Sequence, residues 1–266
     1  MLSGFGRLVP YVLAAALVLP ASRTGAGLPE AHLPDPTAAL HDEVEALAAT
    51  REAGLGAAEL APRVDVLVAG LPLELLASRT ASPELQAAAE ALFDLRAHLV
   101  VEAEGLPTGG RGEFLAALAP GAMYSDVVYG VPACITLAQA VLESGWGRSA
   151  PAYNLFGMKG VGPAGSTERR VVEYSRGRRG HRVHPFRAYH SFAESMADHA
   201  RALAGAERYA AARAVADDPA AYARALRGKY ATDPRYDKKL MALVELYGLT
   251  RFDWAPQPAA VADAED

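Results

Sequence analysis

A single glutamate stands where an apolar helical run ends, in the stretch QAVLESGWG at residues 139–147. Gly145 and Gly147 end the helical pattern directly after Glu143. The partial negative charge at a helix C-terminus disfavours a carboxylate, and Trp146 offers an apolar wall that excludes water. Both effects raise the pKa of a carboxyl, and an acid that stays protonated near neutral pH can donate a proton to a leaving group. These residues alone leave two interpretations of Glu143 open: a general acid, and a solvated residue at a helix end.

The elements that must position this glutamate are mostly helices. Alanine-rich and leucine-rich patterns of helical period predict helices at 37–104 with breaks near 54–56 and 70–72, short helices at 112–119 and 121–128, and a stronger helix from Pro132 to Glu143. Ser82 and Pro83 predict the N-cap and first position of a helix that continues to about Glu104.

Residues 154–190 lose the helical period and predict a small hairpin. Two strands are expected at 169–174 and 182–189, joined by a basic turn that contains glycine. Further helices are predicted to start at the capping box Ser191–Glu194, at Asp218-Pro219 and at Asp233-Pro234, the last ending at Gly248. Helices around one hairpin predict an α+β fold that is mostly helical.

The chain divides by composition into four segments. Residues 1–26 contain an apolar stretch too short for a comfortable membrane span, which predicts a cleaved signal peptide and export, with an uncleaved anchor as the alternative. Residues 27–104 predict a helical region of unknown role that could bind a protein partner. The glycine-rich stretch at 105–110 predicts the start of a second domain, 105–253, and residues 254–266 predict a disordered tail.

Charge is distributed unevenly around a formal net charge of −5. Residues 30–104 hold 14 acidic and 4 basic residues, whereas residues 159–187 hold 8 basic and 2 acidic residues. The basic segment predicts an acidic binding partner. Cys134 is the single cysteine, which excludes a disulfide within the chain, and its apolar surroundings predict a packed side chain with no neighbouring base to activate it.

Three separated motifs give the chain a family resemblance. ITLAQAVLESGWGRSAPAYNLFGMKG, FRAYHSFAESMADHARAL and KYATDPRYDKKL resemble, in this order, the bacterial glucosaminidases of glycoside hydrolase family 73, over roughly residues 112–250. The resemblance implies a lysozyme-like α+β fold and hydrolysis of the β-1,4 bond that follows N-acetylglucosamine in peptidoglycan. It also implies that Glu143 is the catalytic acid.

Glycoside hydrolysis usually needs a second carboxylate. The sequence offers Glu168, Glu173 and Asp233. Glu173, 30 positions after Glu143, resembles the acidic position in the hairpin of the family, where it is a proposed base for water. The alternative is that Glu173 only forms an ion pair with a hairpin arginine.

The resemblance also suggests residues that line the substrate groove. Tyr230 matches a tyrosine that orients water or the N-acetyl group, and Asn154 and Phe156 resemble the groove floor. Trp146 and Phe156 have flat apolar faces that suit a sugar ring, although aromatic packing is equally common. Tyr189 and Asp233 complete the candidate binding residues; packing explains the first and a helix start explains the second.

The basic hairpin predicts contact with anionic polymers of the cell wall. Nucleic acid is not expected, because no nucleic-acid-binding motif accompanies the charge. No cofactor is predicted, and His181, His184 and His190 lack a convincing ligand spacing for a metal. Two other functions stay open: a muramidase or lytic transglycosylase on the same fold, and a non-enzymatic wall-binding or assembly factor, including a flagellar one. Transglycosylases typically carry a GLMQ-type stretch after the glutamate, where this chain has NLFGMKG.

Overall fold

A computed structural model describes residues 36–254, except Arg79 and residues 176–177; the side chains of residues 36 and 172–179 are also outside the description. The predicted signal peptide, residues 1–26, lies outside the described residues. So does the predicted tail from residue 255 onward. Within the described part, no helix is long and apolar enough to cross a membrane.

Among the described residues, six helices precede the hairpin. Their bounds are α1 Pro36–Glu52, α2 Ala57–Ala69, α3 Leu73–Ala77, α4 Pro83–Glu104, α5 Gly110–Tyr129 and α6 Ala133–Ser144. The predicted start of α4 is confirmed: the Ser82 hydroxyl accepts a hydrogen bond from the Leu85 amide and Pro83 is the first helical residue. The helix ends at Glu104, as the pattern predicted.

Helix α5 corrects one prediction, because the segment forms one helix and not two short ones. Pro120 lies inside it without ending it. Proline removes one backbone hydrogen bond and crowds the preceding turn. The buried residues Leu115, Leu118, Ala122 and Met123 lie on both sides of Pro120, and their burial holds the helix together across it.

The hairpin consists of β1 Ser166–Ser175 and β2 Arg178–Arg187, paired antiparallel. Both strands differ from the predicted bounds, since pairing extends to Ser166 opposite Arg187 and reaches the turn at Ser175 opposite Arg178. Cross-strand hydrogen bonds continue through the glycine and arginine residues that the sequence pattern assigned to the turn.

Between the hairpin and residue 254 lie four helices: α7 Phe192–Gly205, α8 Ala210–Arg213, α9 Pro219–Leu226 and α10 Tyr236–Tyr247. Short 3-10 turns occur before the hairpin at Pro151–Tyr153 and after it at Glu207–Tyr209 and Leu249–Phe252. The Ser191 cap and the Asp218 cap are confirmed, each accepting from backbone amides of the first turn. The predicted class, α+β and mostly helical with a small hairpin, is confirmed.

The predicted helix start at Asp233 is wrong. Asp233 accepts from the Arg235 amide, and the Tyr236 amide donates to the Asp233 carbonyl, so a turn precedes the helix. Helix α10 begins at Tyr236 and ends at Gly248, which adopts the left-handed conformation at φ 58°. The aspartate therefore closes a turn, which a proline at the next position also permits.

One continuous apolar core holds these elements together. It includes Val44 of α1, Leu92 of α4, Ile135 of α6 and Phe252 near the end of the described chain. Side chains from both sides of the glycine-rich stretch 105–110 therefore share this core. The helices before that stretch pack directly against the helices after it, chiefly through α4 and α5.

We expect Gly112→Ala to destabilise the protein by about 1–3 kcal/mol. A Cβ at Gly112 would lie 1.8 Å from the Pro107 carbonyl oxygen, so the connection between α4 and α5 must shift. Urea unfolding measures the free energy of unfolding. Gly110→Ala is the matched control, since a Cβ there meets nothing within 4 Å. Equal stability of the two variants would contradict this packing.

Candidate active site

Helix α6 carries Glu143 to the surface at its C-terminal end. All residues from 133 to 141 are buried, whereas Glu143 is exposed. Gly145 caps the helix in the left-handed conformation at φ 57°, and its amide donates to the Val141 carbonyl. The buried body of the helix therefore fixes the backbone that presents the carboxyl.

The Glu143 carboxyl is held by a tyrosine from the far end of the chain. The Tyr236 hydroxyl donates to Glu143 Oε1 at 2.9 Å, and Gln139 Nε2 donates to the same hydroxyl at 3.1 Å. Burial by surrounding protein raises the pKa of Glu143, although one edge stays open to solvent, and the hydrogen bond from Tyr236 partly opposes this rise.

Sequence reasoning missed Tyr236 and Gln139. Gln139 lies four residues before Glu143, so helical periodicity alone places both on one face of α6. Tyr236 lies within the motif KYATDPRYDKKL, six positions after Tyr230. Nothing in the sequence, however, shows that its hydroxyl reaches a carboxyl 93 residues earlier.

Tyr230 lies beside this pair, and its contact with substrate stays a prediction. Its ring stacks on that of Tyr236 with centroids 5.7 Å apart and an angle of 22° between the planes. Burial, and then the charge of Glu143, raise the pKa of Tyr230 well above its usual value. Its phenol is therefore neutral in the physiological range.

A buried histidine, His199, lies between Phe156 and Tyr230 and contacts both rings. The rings of Phe156 and His199 stack with centroids 3.8 Å apart, and His199 meets the ring of Tyr230 edge-on at 5.6 Å. His199 is fully buried, and burial lowers its pKa to about 3, so the imidazole is neutral. One face of Phe156 is thus occupied within the protein.

Asn154 organises the loop after α6. Its Nδ2 donates to the carbonyls of Met158 and Arg187 at 2.9 and 2.8 Å, and its Oδ1 accepts from the Met158 amide. Both N–H donors are therefore used inside the protein. Ala152 and Tyr153, just before it, have left-handed φ values of 49° and 59°. Such residues cost about 1–3 kcal/mol each and are held by surrounding contacts.

Trp146 packs between two helices. Its ring meets Phe114 of α5 and Tyr247 of α10 edge-on at 5.9 and 5.0 Å. The Arg111 guanidinium lies over the indole at 5.2 Å. Trp146 contacts both α5 and α10. It is partly exposed, so some of its surface next to the end of α6 is accessible to solvent.

Tyr189 and Asp233 form internal contacts. The Tyr189 hydroxyl donates to Asp198 Oδ2 at 2.6 Å, and the residue is buried. Asp233 forms an ion pair with Lys239, which lowers the pKa of its carboxyl. These contacts agree with packing for Tyr189 and a turn for Asp233; substrate contact by either residue stays a prediction.

The hairpin positions of the remaining carboxylates are known from the register. Glu173 pairs with Gly180, and its side chain lies outside the described part of the chain. Glu168 is exposed and pairs with Pro185. Near the hairpin base, Arg169 donates to the Ser149 hydroxyl at 3.4 Å, which ties β1 to the loop that follows Glu143.

Cys134 is buried in α6, and burial raises the pKa of its thiol, so it packs as the sequence predicted. Within residues 36–254, leaving aside the gaps named above, no group of three or more His, Cys, Asp or Glu side chains is arranged to hold a metal ion.

Known proteins share the segment that carries this site. The sequence profile of the family described as mannosyl-glycoprotein endo-beta-N-acetylglucosaminidase matches residues 119–249. An autolysin of Enterococcus faecalis is 39% identical over 160 residues, covering 55% of this chain and 21% of that protein. A probable N-acetylmuramidase of Lactococcus lactis is 43% identical over 131 residues, covering 46% of this chain and 30% of that protein. The chain thus spans less than a third of the length of these relatives.

A solved structure extends this similarity to the fold. The catalytic domain of the autolysin Auto from Listeria monocytogenes is 32% identical, with a TM-score of 0.51; the match covers 55% of this chain and 89% of that domain. The segment matched by the family profile includes Glu143, Tyr230 and Tyr236. The chain therefore belongs to the glucosaminidase family of glycoside hydrolases.

Proposed function

We propose that this chain is an exported peptidoglycan hydrolase that cleaves the β-1,4 bond after N-acetylglucosamine, with Glu143 as general acid. The observation that carries this proposal is the placement of Glu143. It is an accessible carboxyl on a rigid buried helix, and surrounding protein raises its pKa. The names of the relatives, autolysin and N-acetylmuramidase, support a substrate in the cell wall. Export rests on the apolar pattern of residues 1–26.

Each group has a defined task in the proposed reaction. Protonated Glu143 gives its proton to the glycosidic oxygen while the bond from that oxygen to C1 of N-acetylglucosamine breaks. A water molecule then adds to C1, and its proton passes to a base. The product has a new reducing end on N-acetylglucosamine. The desolvated surroundings favour the protonated form of Glu143 until the proton is transferred to the glycosidic oxygen.

We assign Glu173 as the base on its position in the hairpin, with Tyr230 as the residue that orients water or the N-acetyl group. The stacking of Tyr230 on Tyr236 supports this role, because it places the phenol beside the acid. A neutral phenol can donate to the N-acetyl carbonyl or accept from water.

The hairpin supplies a basic surface for anionic wall polymers. Arg170 and Arg182 are exposed on opposite faces of the hairpin, because Arg170 pairs with Val183 and Arg182 pairs with Val171, whereas Arg169 is partly buried over the ring of Phe186 at 5.4 Å. We therefore propose that Arg170 and Arg182 contact the polymer and that Arg169 holds the hairpin.

A muramidase is the second candidate, favoured by the description of the Lactococcus lactis relative as a probable N-acetylmuramidase. It would use the same acid and break the bond after N-acetylmuramic acid. Mass spectrometry of digested peptidoglycan separates the two functions, since the new reducing sugar differs. An anhydro product would indicate a lytic transglycosylase.

We expect Glu143→Gln to reduce hydrolysis of purified peptidoglycan by at least about 100-fold, because an amide cannot donate the proton. Zymography and quantification of new reducing ends provide the measurement. Glu245→Gln is the matched control, an exposed glutamate on α10. Wild-type activity in Glu143→Gln would exclude this role.

The activity should fall with rising pH as Glu143 loses its proton. A general acid is active below its pKa, and burial raises the pKa of Glu143. The midpoint of the basic limb should therefore lie above the pKa of an ordinary glutamate, which is about 4.3. The profile of kcat/KM against pH on soluble glycan fragments measures this. A profile without a basic limb would contradict the assignment. So would a basic limb whose midpoint lies at or below the pKa of an ordinary glutamate.

Arg170→Gln combined with Arg182→Gln should weaken binding to purified walls and make it less sensitive to salt, since two cations are removed from the polymer contact. Co-sedimentation with walls before and after removal of their anionic polymers measures this. Arg63→Gln combined with Arg208→Gln makes the same charge change at exposed sites outside the hairpin. An equal loss in both double variants would show that net charge alone acts.

A further inference from the structure

A chain of two hydrogen bonds ends on one oxygen of the Glu143 carboxyl. Gln139 Nε2 lies 3.1 Å from the Tyr236 hydroxyl, which lies 2.9 Å from Glu143 Oε1. Gln139 is fully buried and Tyr236 is 2% exposed. Among the described residues, Glu143 Oε2 has no hydrogen-bond partner from the protein. The two carboxyl oxygens therefore differ in their surroundings.

The direction of the chain follows from the orientation of the Gln139 amide, whose Nε2 faces the Tyr236 hydroxyl while its Oε1 has no partner among the described residues. The Gln139 amide nitrogen can only donate, so it uses a lone pair of the Tyr236 hydroxyl oxygen. The single proton of that hydroxyl is then available for Glu143 Oε1. An oxygen that already accepts this proton is a poor place for a second one, because the hydroxyl would have to turn against Gln139.

We propose that Gln139 and Tyr236 are positioning residues that hold the acidic proton of Glu143 on Oε2, the oxygen that is free to face the glycosidic bond. This inference rests on the proposed role of Glu143 as the acid. It adds that two side chains without contact to the substrate decide which oxygen delivers the proton and in which direction. Transfer from Oε2 leaves an ionised carboxylate whose Oε1 is already hydrogen bonded.

The same contact stabilises the product of proton transfer. Once Glu143 is ionised, the hydrogen bond from Tyr236 is charge-assisted and stronger than before. The hydrogen bond thereby opposes the desolvation that raises the pKa of Glu143. The acid is balanced between burial, which retains its proton, and Tyr236, which assists its loss.

No charged group among the described residues contributes to this balance. The titratable groups packed against Glu143 are Tyr236 from α10 and Tyr230 from the turn before it, both with a raised pKa and therefore neutral. Within the described residues Glu143 forms no ion pair. Removal of the Tyr236 hydroxyl should thus act on Glu143 through one lost hydrogen bond.

The deciding experiment titrates Glu143 in the wild type and in Tyr236→Phe. Carboxyl carbon NMR should show the midpoint of Glu143 moving to higher pH in Tyr236→Phe, because the charged form loses a donor. The basic limb of kcat/KM should move in the same direction, and kcat should fall about 10-fold or more while KM stays within about twofold. Tyr222→Phe is the control, since its buried hydroxyl has no partner among the described residues.

Gln139→Leu provides a second test if Tyr236→Phe folds poorly. This variant keeps the Tyr236 hydroxyl but removes the hydrogen bond from Gln139 that orients it. We therefore expect kcat to fall without a comparable change in KM. Circular dichroism and thermal unfolding of each variant report whether the fold is retained.

The outcomes separate this inference from the proposed function. Full activity of Glu143→Gln would exclude Glu143 as the general acid and so overturn both the proposed function and this inference. An inactive Glu143→Gln together with an unmoved Glu143 midpoint in Tyr236→Phe would leave the acid in place and overturn the positioning role. A midpoint that moves to lower pH would show the reverse chain, in which Glu143 donates to Tyr236, and would also overturn it.

Discussion

The burial of helix α6 is the constraint on which the site depends. Residues 133–141 of this helix are buried against α5, α9, α10 and the last 3-10 turn, so the helix cannot rotate or slide without disrupting the core. Glu143 lies two residues beyond that buried segment. Its backbone is therefore as fixed as the core, although one edge of its carboxyl stays open to solvent. For the proposed role of Glu143, a fixed backbone means that the carboxyl would meet a substrate in a nearly constant position, which lowers the cost of orienting the two groups.

A polar residue within the apolar helix connects this constraint to the chemistry. Gln139 is fully buried, where an amide without hydrogen bonds is costly, and its Oε1 has no partner among the described residues. Its Nε2 reaches the hydroxyl of Tyr236, which continues to Glu143. The same contact joins α6 to α10. Core packing and the properties of the acid are consequently coupled, and one interaction serves both.

Aromatic rings extend the site away from Glu143 in one layer. Tyr236, Tyr230, His199 and Phe156 follow one another at centroid distances of 5.7, 5.6 and 3.8 Å. They come from three separate motifs of the sequence, which these ring contacts join in the folded chain. The neutral, fully buried His199 lies between the tyrosine beside the acid and the loop fastened by Asn154. Displacement of this loop would move Phe156 and, through its contact with His199, would disturb the packing of Tyr230.

The sequence by itself determined the position of Glu143 at a helix end, the helix starts at Ser82, Ser191 and Asp218, the stop at Gly248 and the small hairpin. These features follow from capping chemistry and periodicity within a few residues. Local patterns failed at Pro120, where burial on both sides outweighs a broken hydrogen bond, and at Asp233, which closes a turn. Only the tertiary structure decided that Asn154 fastens a loop and that Tyr236 binds the acid. The reason is physical: a hydrogen bond between residues 93 positions apart depends on how two helices pack, and neither helix specifies that packing alone.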